Sequence, residues 1–159
     1  MDTIKFSCVV NTNIPANPIH LQIVLDETVM FDEDVVNEET VSFEFNEDEN
    51  DHTLRFLILG KNDAHIIRDE DGNVLDSTEL SITDISFGGI DITNIIMTSP
   101  LEYRHDFNGS ADETIDKFYS IAGCNGEIIL NFSTPIYLWL LENMSVSYTH
   151  LTLPTKLEV

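Results

Sequence analysis

Residues 3–10, TIKFSCVV, decide the fold of this chain. Apolar side chains occupy every second position, at Ile4, Phe6, Cys8 and Val10, and most of the side chains between them are polar. Successive side chains of a β-strand point to opposite faces of a sheet. The alternation therefore predicts a strand with one buried and one hydrated face, as in antiparallel sheets.

The same alternation recurs along the chain. It is found in the series Ile19-Leu21-Ile23-Leu25, Val41-Phe43-Phe45, Leu54-Phe56-Ile58 and Ile128-Leu130-Phe132. A further series begins at Leu80 and shifts by one position between Ile82 and Ile85. This slip, across Thr83-Asp84, predicts a β-bulge or a bend.

Turn-forming sequences separate these predicted strands. Residues 13–18, NIPANP, have a loop composition, and residues 47–51 form an acidic turn pattern. Asp71-Gly72-Asn73 predicts a tight turn because glycine and asparagine tolerate positive φ. Together the strands and turns predict an all-β, mainly antiparallel fold, of β-sandwich or jelly-roll type, in a single domain at residues 1–144.

One short helix is expected near residues 111–122. Ser110 and Glu113 match a capping box, in which the two side chains satisfy free amides of the first helical turn. Apolar residues follow at helical spacing. Residues 134–143 fit either a helix with Pro135 in its first turn or a buried strand, and their aromatic and branched side chains favour the strand.

The end of the chain has a different character. Residues 146–155, VSYTHLTLPT, can be written in codons that resemble the transposon-end adapter of shotgun library preparation. We therefore expect residues 145–159 to be a non-native translation of a sequencing adapter, and such segments are excluded from fold reasoning.

Composition limits the classes of partner. The 159 residues include 29 acidic and 7 basic side chains, for a formal net charge of −22. A field of that sign repels nucleic-acid phosphates and anionic lipid surfaces, so we expect neither nucleic acid nor membrane as a partner. No signal peptide is visible, and no apolar run approaches the roughly 20 residues of a membrane span.

An acidic segment is the strongest candidate for a metal site. Asp69, Asp71 and Asp76 form the densest cluster of oxygen ligands, and hard cations such as Ca²⁺ bind six to eight oxygens. An EF-hand is excluded because its first and last ligand positions fall on Ile67 and Thr78. The remaining alternatives are a calcium site of another type and a hydrated hairpin turn.

Residues 103–109, YRHDFNG, combine polar and aromatic side chains. They predict a ligand-binding rim at Tyr103, His105, Asp106 and Asn108, with an ordinary loop as the alternative. Aromatic rings can stack on sugars, and the better exposed candidates are Tyr103, Tyr119 and Tyr137, whereas Trp139 is expected in the core.

No arrangement of side chains indicates catalysis. The chain lacks the motifs of serine hydrolases, P-loop proteins and zinc proteases, and its histidine spacing matches no zinc pattern. We therefore expect a protein that is not an enzyme.

One region resembles the Ca²⁺-dependent xylan-binding type of carbohydrate-binding module. The matching residues are His52, Leu54, Phe56, Asn62, Asp63, Leu80, Ile82, Ile85, Phe87 and Gly89. The resemblance implies a β-sandwich in which a calcium ion held by a loop contacts sugar hydroxyls. It also implies a metal role for Asn62, Asp63 and Asp76.

A second resemblance covers residues 19–144 and is to small uncharacterised proteins of marine T4-like phages. The segments that carry it are Gly60-Lys61, Asp71-Gly72-Asn73, residues 103–109, Gly123-Cys124-Asn125-Gly126 and residues 134–142. It implies a virion or assembly context. Because neither a signal peptide nor a membrane span is visible, we expect a location in the virion or the host cytoplasm.

These expectations define two functions. The first is a non-catalytic, carbohydrate-binding-like module, assisted by calcium and encoded by a phage, with a glycan as its partner. The alternative is a structural or assembly protein of the virion that acts through contacts with other virion proteins or as a homo-oligomer, without a glycan ligand.

Overall fold

A computed structural model describes residues 2–14, 17–61, 66–106 and 112–152, with side chains described as far as residue 144. The strands are β1 (Thr3–Thr12), β2 (Ile19–Leu25), β3 (Thr28–Val35), β4 (Glu39–Asn46), β5 (Asp51–Leu59), β6 (Ile66–Arg68), β7 (Val74–Ser77), β8 (Leu80–Phe87), β9 (Ile90–Asp91), β10 (Leu101–His105), β11 (Thr114–Phe118), β12 (Ile121–Ala122) and β13 (Gly126–Ser133). The helices are α1 (Thr93–Thr98) and α2 (Ile136–Thr152).

Two antiparallel sheets contain most of the strands. One is five-stranded, in the order β12-β8-β1-β4 with β9 paired to β8, and the other is six-stranded, in the order β11-β10-β13-β5-β2-β3. Among the described strands, β6 and β7 pair only with each other, as a separate two-stranded sheet. The all-β, mainly antiparallel fold predicted from the alternation is confirmed.

The core lies between the inner faces of the two sheets. The buried positions of β1 and β5 are those that the alternation assigns to the inner face. Rings from opposite sheets are in contact: Phe6 and Phe56 have centroids 6.3 Å apart, and Phe87 and Phe132 have centroids 4.9 Å apart. The two sheets therefore form a sandwich.

The predicted slip in β8 is a β-bulge. Ser7 of β1 faces Ser86, but Val9 faces Thr83, so one extra residue of β8 lies opposite β1. Asp84 has a φ of 51°, a left-handed conformation that lets the extra residue fit. The bulge keeps apolar side chains on the inner face on both sides of the slip.

Strand β3 was not predicted. It is an edge strand whose residues 32–34 are Asp, Glu and Asp, so its sequence does not show a regular apolar series. His20 of β2 binds this edge, with its Nε2 2.5 Å from Asp32 Oδ1 and its Nδ1 2.8 Å from Asp34 Oδ1. Acidic side chains on an edge oppose pairing with a strand of another molecule.

The predicted helix near residues 111–122 is wrong for the described residues of that segment. Thr114–Phe118 is strand β11, which pairs with β10 along its whole length, and Ile121–Ala122 is strand β12. The branched side chains of Thr114 and Ile115 suit a strand, and pairing with β10 gives the backbone of residues 114–118 its hydrogen-bond partners. Residues 110 and 111 of the predicted cap lie outside the described residues.

The strand favoured for residues 134–143 is also wrong, because helix α2 begins at Ile136. Ile136 and Leu140, four positions apart, are buried, whereas Leu138 and Leu141 are exposed, so burial follows a helical period. The Thr134–Pro135 peptide bond is cis. The predicted domain boundary at residues 144–145 falls within α2 and stays a prediction. No helix in the described ranges has the length and apolar content needed to cross a membrane.

Strands β10 and β13 pack closely at Gly126. A Cβ added at Gly126 would collide with the carbonyl oxygen of Arg104 and lie 2.9 Å from His105 Cβ. We expect Gly126→Ala to lower the free energy of unfolding by about 2–3 kcal/mol in urea denaturation, because a backbone atom must move. Gly123→Ala is the matched control, since its nearest neighbour is 3.7 Å away. Equal effects of the two substitutions would contradict the packing described for Gly126.

Candidate functional site

The acidic residues predicted to bind calcium lie on the hairpin formed by β6 and β7. The Asp69 carboxylate accepts hydrogen bonds from the backbone amides of Asp71 and Asn73, both at 2.9 Å, and from the Asn73 side chain at 3.2 Å. These bonds, first that of the Asn73 amide, lower the pKa of Asp69. Asp76 Oδ1 accepts the amide of Ser77 at 2.8 Å. The Asp69 carboxylate therefore closes the predicted tight turn.

Among the described residues, the calcium candidates are not brought together with further acidic, histidine or cysteine ligands. Across the described ranges, no three or more histidine, cysteine or acidic side chains converge in a way that could hold a metal ion. Asn62 and Asp63 lie outside the described residues. Calcium binding stays a prediction.

The predicted ligand-binding rim is only in part a surface. Tyr103 and His105 lie on β10 and face the core, so the expected exposure of Tyr103 is wrong. The Tyr103 hydroxyl donates to the Cys124 carbonyl at 2.6 Å and accepts from the Cys124 amide at 2.9 Å, and burial raises the pKa of Tyr103 to about 12. His105 Nε2 lies 2.6 Å from Asp116 Oδ2. Asp106 follows the strand, and Asn108 lies outside the described residues.

Aromatic side chains are sparse on the surface of the six-stranded sheet. The outward positions of β2, β5, β10 and β13 carry no Phe, Tyr or Trp. Tyr119 and Tyr137 are exposed, as expected, and Trp139 packs against the core next to Phe87. A flat platform for sugar stacking is therefore not formed by these four strands.

A buried lysine, to which the sequence analysis assigned no role, lies at the base of the hairpin. Lys61 is 6% exposed, and its Nζ donates to Ser77 Oγ at 2.6 Å and to the Gly123 carbonyl at 2.5 Å. Its backbone amide and carbonyl bond to the side chain of Asn125, each at 2.8 Å. Burial lowers the pKa of Lys61. Lys61 thus connects the end of β5 to β7 and to the loop before β13.

A second set of bonds fixes the same base. The Asn13 side chain donates to the Ser77 carbonyl at 3.0 Å and accepts the Glu79 amide at 2.7 Å. At the other end of the hairpin, Arg68 Nη1 donates to the Gly72 carbonyl at 3.1 Å. Residues 66–77, here called the arm, are therefore a hairpin with a fixed base.

The arm exposes apolar side chains. Val74 is 57% exposed, Leu75 66% and Ile67 41%. Apolar side chains clustered on one small element mark a contact surface more often than isolated ones do. The arm is the candidate functional site of this chain.

Comparison of the chain with protein-family models, with curated proteins and with solved structures finds no match. The two resemblances drawn from the sequence, to carbohydrate-binding modules and to phage proteins, therefore stay predictions.

Lys61 should control how firmly the arm is held. We expect Lys61→Met to lower the free energy of unfolding by about 1–3 kcal/mol, because Ser77 Oγ and the Gly123 carbonyl lose their donor. Amide exchange at Val74–Ser77 should become faster at the same time. Lys117→Met is the matched control, because Lys117 is an exposed lysine on β11, where a substitution changes stability by less than about 0.5 kcal/mol. Unchanged exchange in β7 would contradict the anchoring role.

Proposed function

We propose that this chain is a non-catalytic module that binds another protein through the arm. The observation that carries the proposal is the exposure of Ile67, Val74 and Leu75 on a two-stranded sheet that pairs with no other described strand. A hairpin of this size is marginally stable by itself. Contact with a partner would cover its apolar side chains and stabilise it.

The charge of the chain limits what that partner can be. The arm carries acidic side chains at Asp69, Glu70, Asp71 and Asp76 beside its apolar ones, and the whole chain has a net charge of −22. A second copy would bring a field of the same sign to the contact, which opposes association. The chemistry therefore fits a different protein, with an apolar groove bordered by lysine or arginine.

The fixed base of the arm favours binding. Lys61 and Asn13 both bond to Ser77 and so hold the C-terminal end of the arm before any partner arrives. Less conformational freedom is then lost on association, and this is how preorganisation raises affinity. The proposed contact agrees with the virion or assembly context that the second resemblance implies.

Peptide display can test the arm without knowledge of the natural partner. The immobilised full chain would be panned with a random-peptide library, and enriched peptides would be titrated against the double variant Val74→Asp, Leu75→Asp. We expect peptides in which lysine or arginine flanks apolar residues, with affinity at least about tenfold lower for the double variant and lower at high salt. Val29→Asp is the matched control, because Val29 is 51% exposed on β3, outside the arm.

Three outcomes would contradict this function. Peptides that bind the double variant as tightly as the parent chain would place the contact elsewhere. A dimer that the double variant abolishes would identify a second copy as the occupant of the arm. A glycan-array signal that the double variant retains, with no enriched peptide, would favour the carbohydrate-binding function instead.

A further inference from the structure

A buried histidine joins three segments at the other end of β5 from Lys61. His52 is 8% exposed, and its Nδ1 lies 2.8 Å from Asp26 Oδ2 in the β2–β3 turn. Its Nε2 lies 2.8 Å from Asp48 Oδ1 in the β4–β5 connection. The His52 ring stacks on Phe132, with centroids 5.4 Å apart, so it is fixed in orientation as well.

The two contacts need both ring protons. A neutral imidazole has one N–H donor and one acceptor, whereas an imidazolium has two donors. Both nitrogens of His52 face carboxylates, which accept hydrogen bonds when ionised. Only the protonated ring therefore bonds both Asp26 and Asp48, and loss of one proton leaves one carboxylate facing a lone pair.

Asp48 connects this histidine to the start of α2. The Thr134 hydroxyl lies 2.9 Å from Asp48 Oδ1, to which it donates, and accepts the Asn50 amide at 3.1 Å. The neighbouring Glu47 carboxylate accepts the Ile136 amide at 3.0 Å, in the first turn of α2. The β4–β5 connection that His52 holds is thus the connection that binds the N-terminus of α2.

We propose that Asp26, His52, Asp48 and Thr134 form a pH-dependent latch that holds the first turn of α2 on the sandwich while His52 is protonated and loosens it when His52 loses a proton. The latch and the arm lie at opposite ends of β5, so the two proposals are independent. Loosening of α2 would open the groove that His52, Phe132 and Trp139 line.

The charges around His52 support protonation near neutral pH. The charged groups on the segments that surround it are Asp26 and Glu27 on the β2–β3 turn, Glu47, Asp48 and Glu49 on the β4–β5 connection, and Asp51 and Arg55 on β5. From β13 and the first turn of α2, the uncharged residues Asn131, Ser133 and Trp139 line the groove beside His52. Burial, the largest single influence, lowers the pKa of His52, but the hydrogen bonds and charges of Asp26 and Asp48 together raise it above the ordinary 6.5.

The direction of the pH effect follows from these shifts. Because the pKa of His52 is raised by folding, its stabilisation is complete below about 6.5 and is lost as pH rises through the folded-state value. The pKa of Asp48 is lowered to about 2, first by its bond to His52, so its stabilisation is lost only as pH falls from 3.8 toward 2. The latch is therefore closed in mild acid and opens toward alkaline pH.

Trp139, the only tryptophan of the chain, reports on the groove. We expect its emission and the amide protection of Ile136 to change together between about pH 5 and about pH 9, with the midpoint of the His52 titration measured by NMR. Local opening at Ile136 should increase at most roughly tenfold for each unit by which folding raises the pKa of His52. Constant protection of Ile136 across that titration would overturn the proposal.

Variants separate the latch from a general pH effect. His52→Gln should abolish the transition, whereas His20→Gln should keep it, since His20 is also held by two aspartates but lies beside β3. Asp48→Asn should move the midpoint of the transition to lower pH. This variant tests the latch even if His52→Gln does not fold. A transition that persists in His52→Gln, or a midpoint that Asp48→Asn leaves unchanged, would refute the latch.

Discussion

The contact between Phe87 and Phe132 is the interaction on which the rest of the structure depends. Their rings come from opposite sheets, and each also contacts Phe45 and Trp139. Phe132 in addition stacks on His52. Packing of the two sheets, docking of α2 and orientation of the buried histidine therefore share one aromatic cluster, in which paired rings contribute about 0.5–1.5 kcal/mol each beyond the burial of their surface.

The strands could be predicted where burial has a period of two. β1, β2, β5, β8 and β13 are such strands, and even the bulge in β8 was visible as a slip of the apolar series. β3 was missed because an edge strand with acidic residues on it has no such series. The helix near residues 111–122 failed because a local capping pattern is weak compared with a full set of hydrogen bonds to β10.

The candidate site was less predictable, because the residues that bond to one another there are distant in sequence. Lys61 bonds to the carbonyl of Gly123, and Asp48 bonds to Thr134, which lies 86 positions away. No periodicity or motif encodes such pairs. The hairpin turn at Asp71-Gly72-Asn73 was predicted correctly because glycine and asparagine favour a turn through their own backbone preferences. The fixed base that makes the arm a candidate for binding depends instead on tertiary contacts.

The acidic edge of β3 has a consequence for the solubility of the protein. The exposed backbone of an edge strand is a template for strands of other molecules, and the acidic side chains of β3 oppose such pairing. The net charge of the chain approaches zero as the solution approaches the isoelectric point of about 4.1. Acidification toward that pH would therefore weaken the repulsion between molecules that opposes edge-to-edge pairing, so the protein should be least soluble near its isoelectric point.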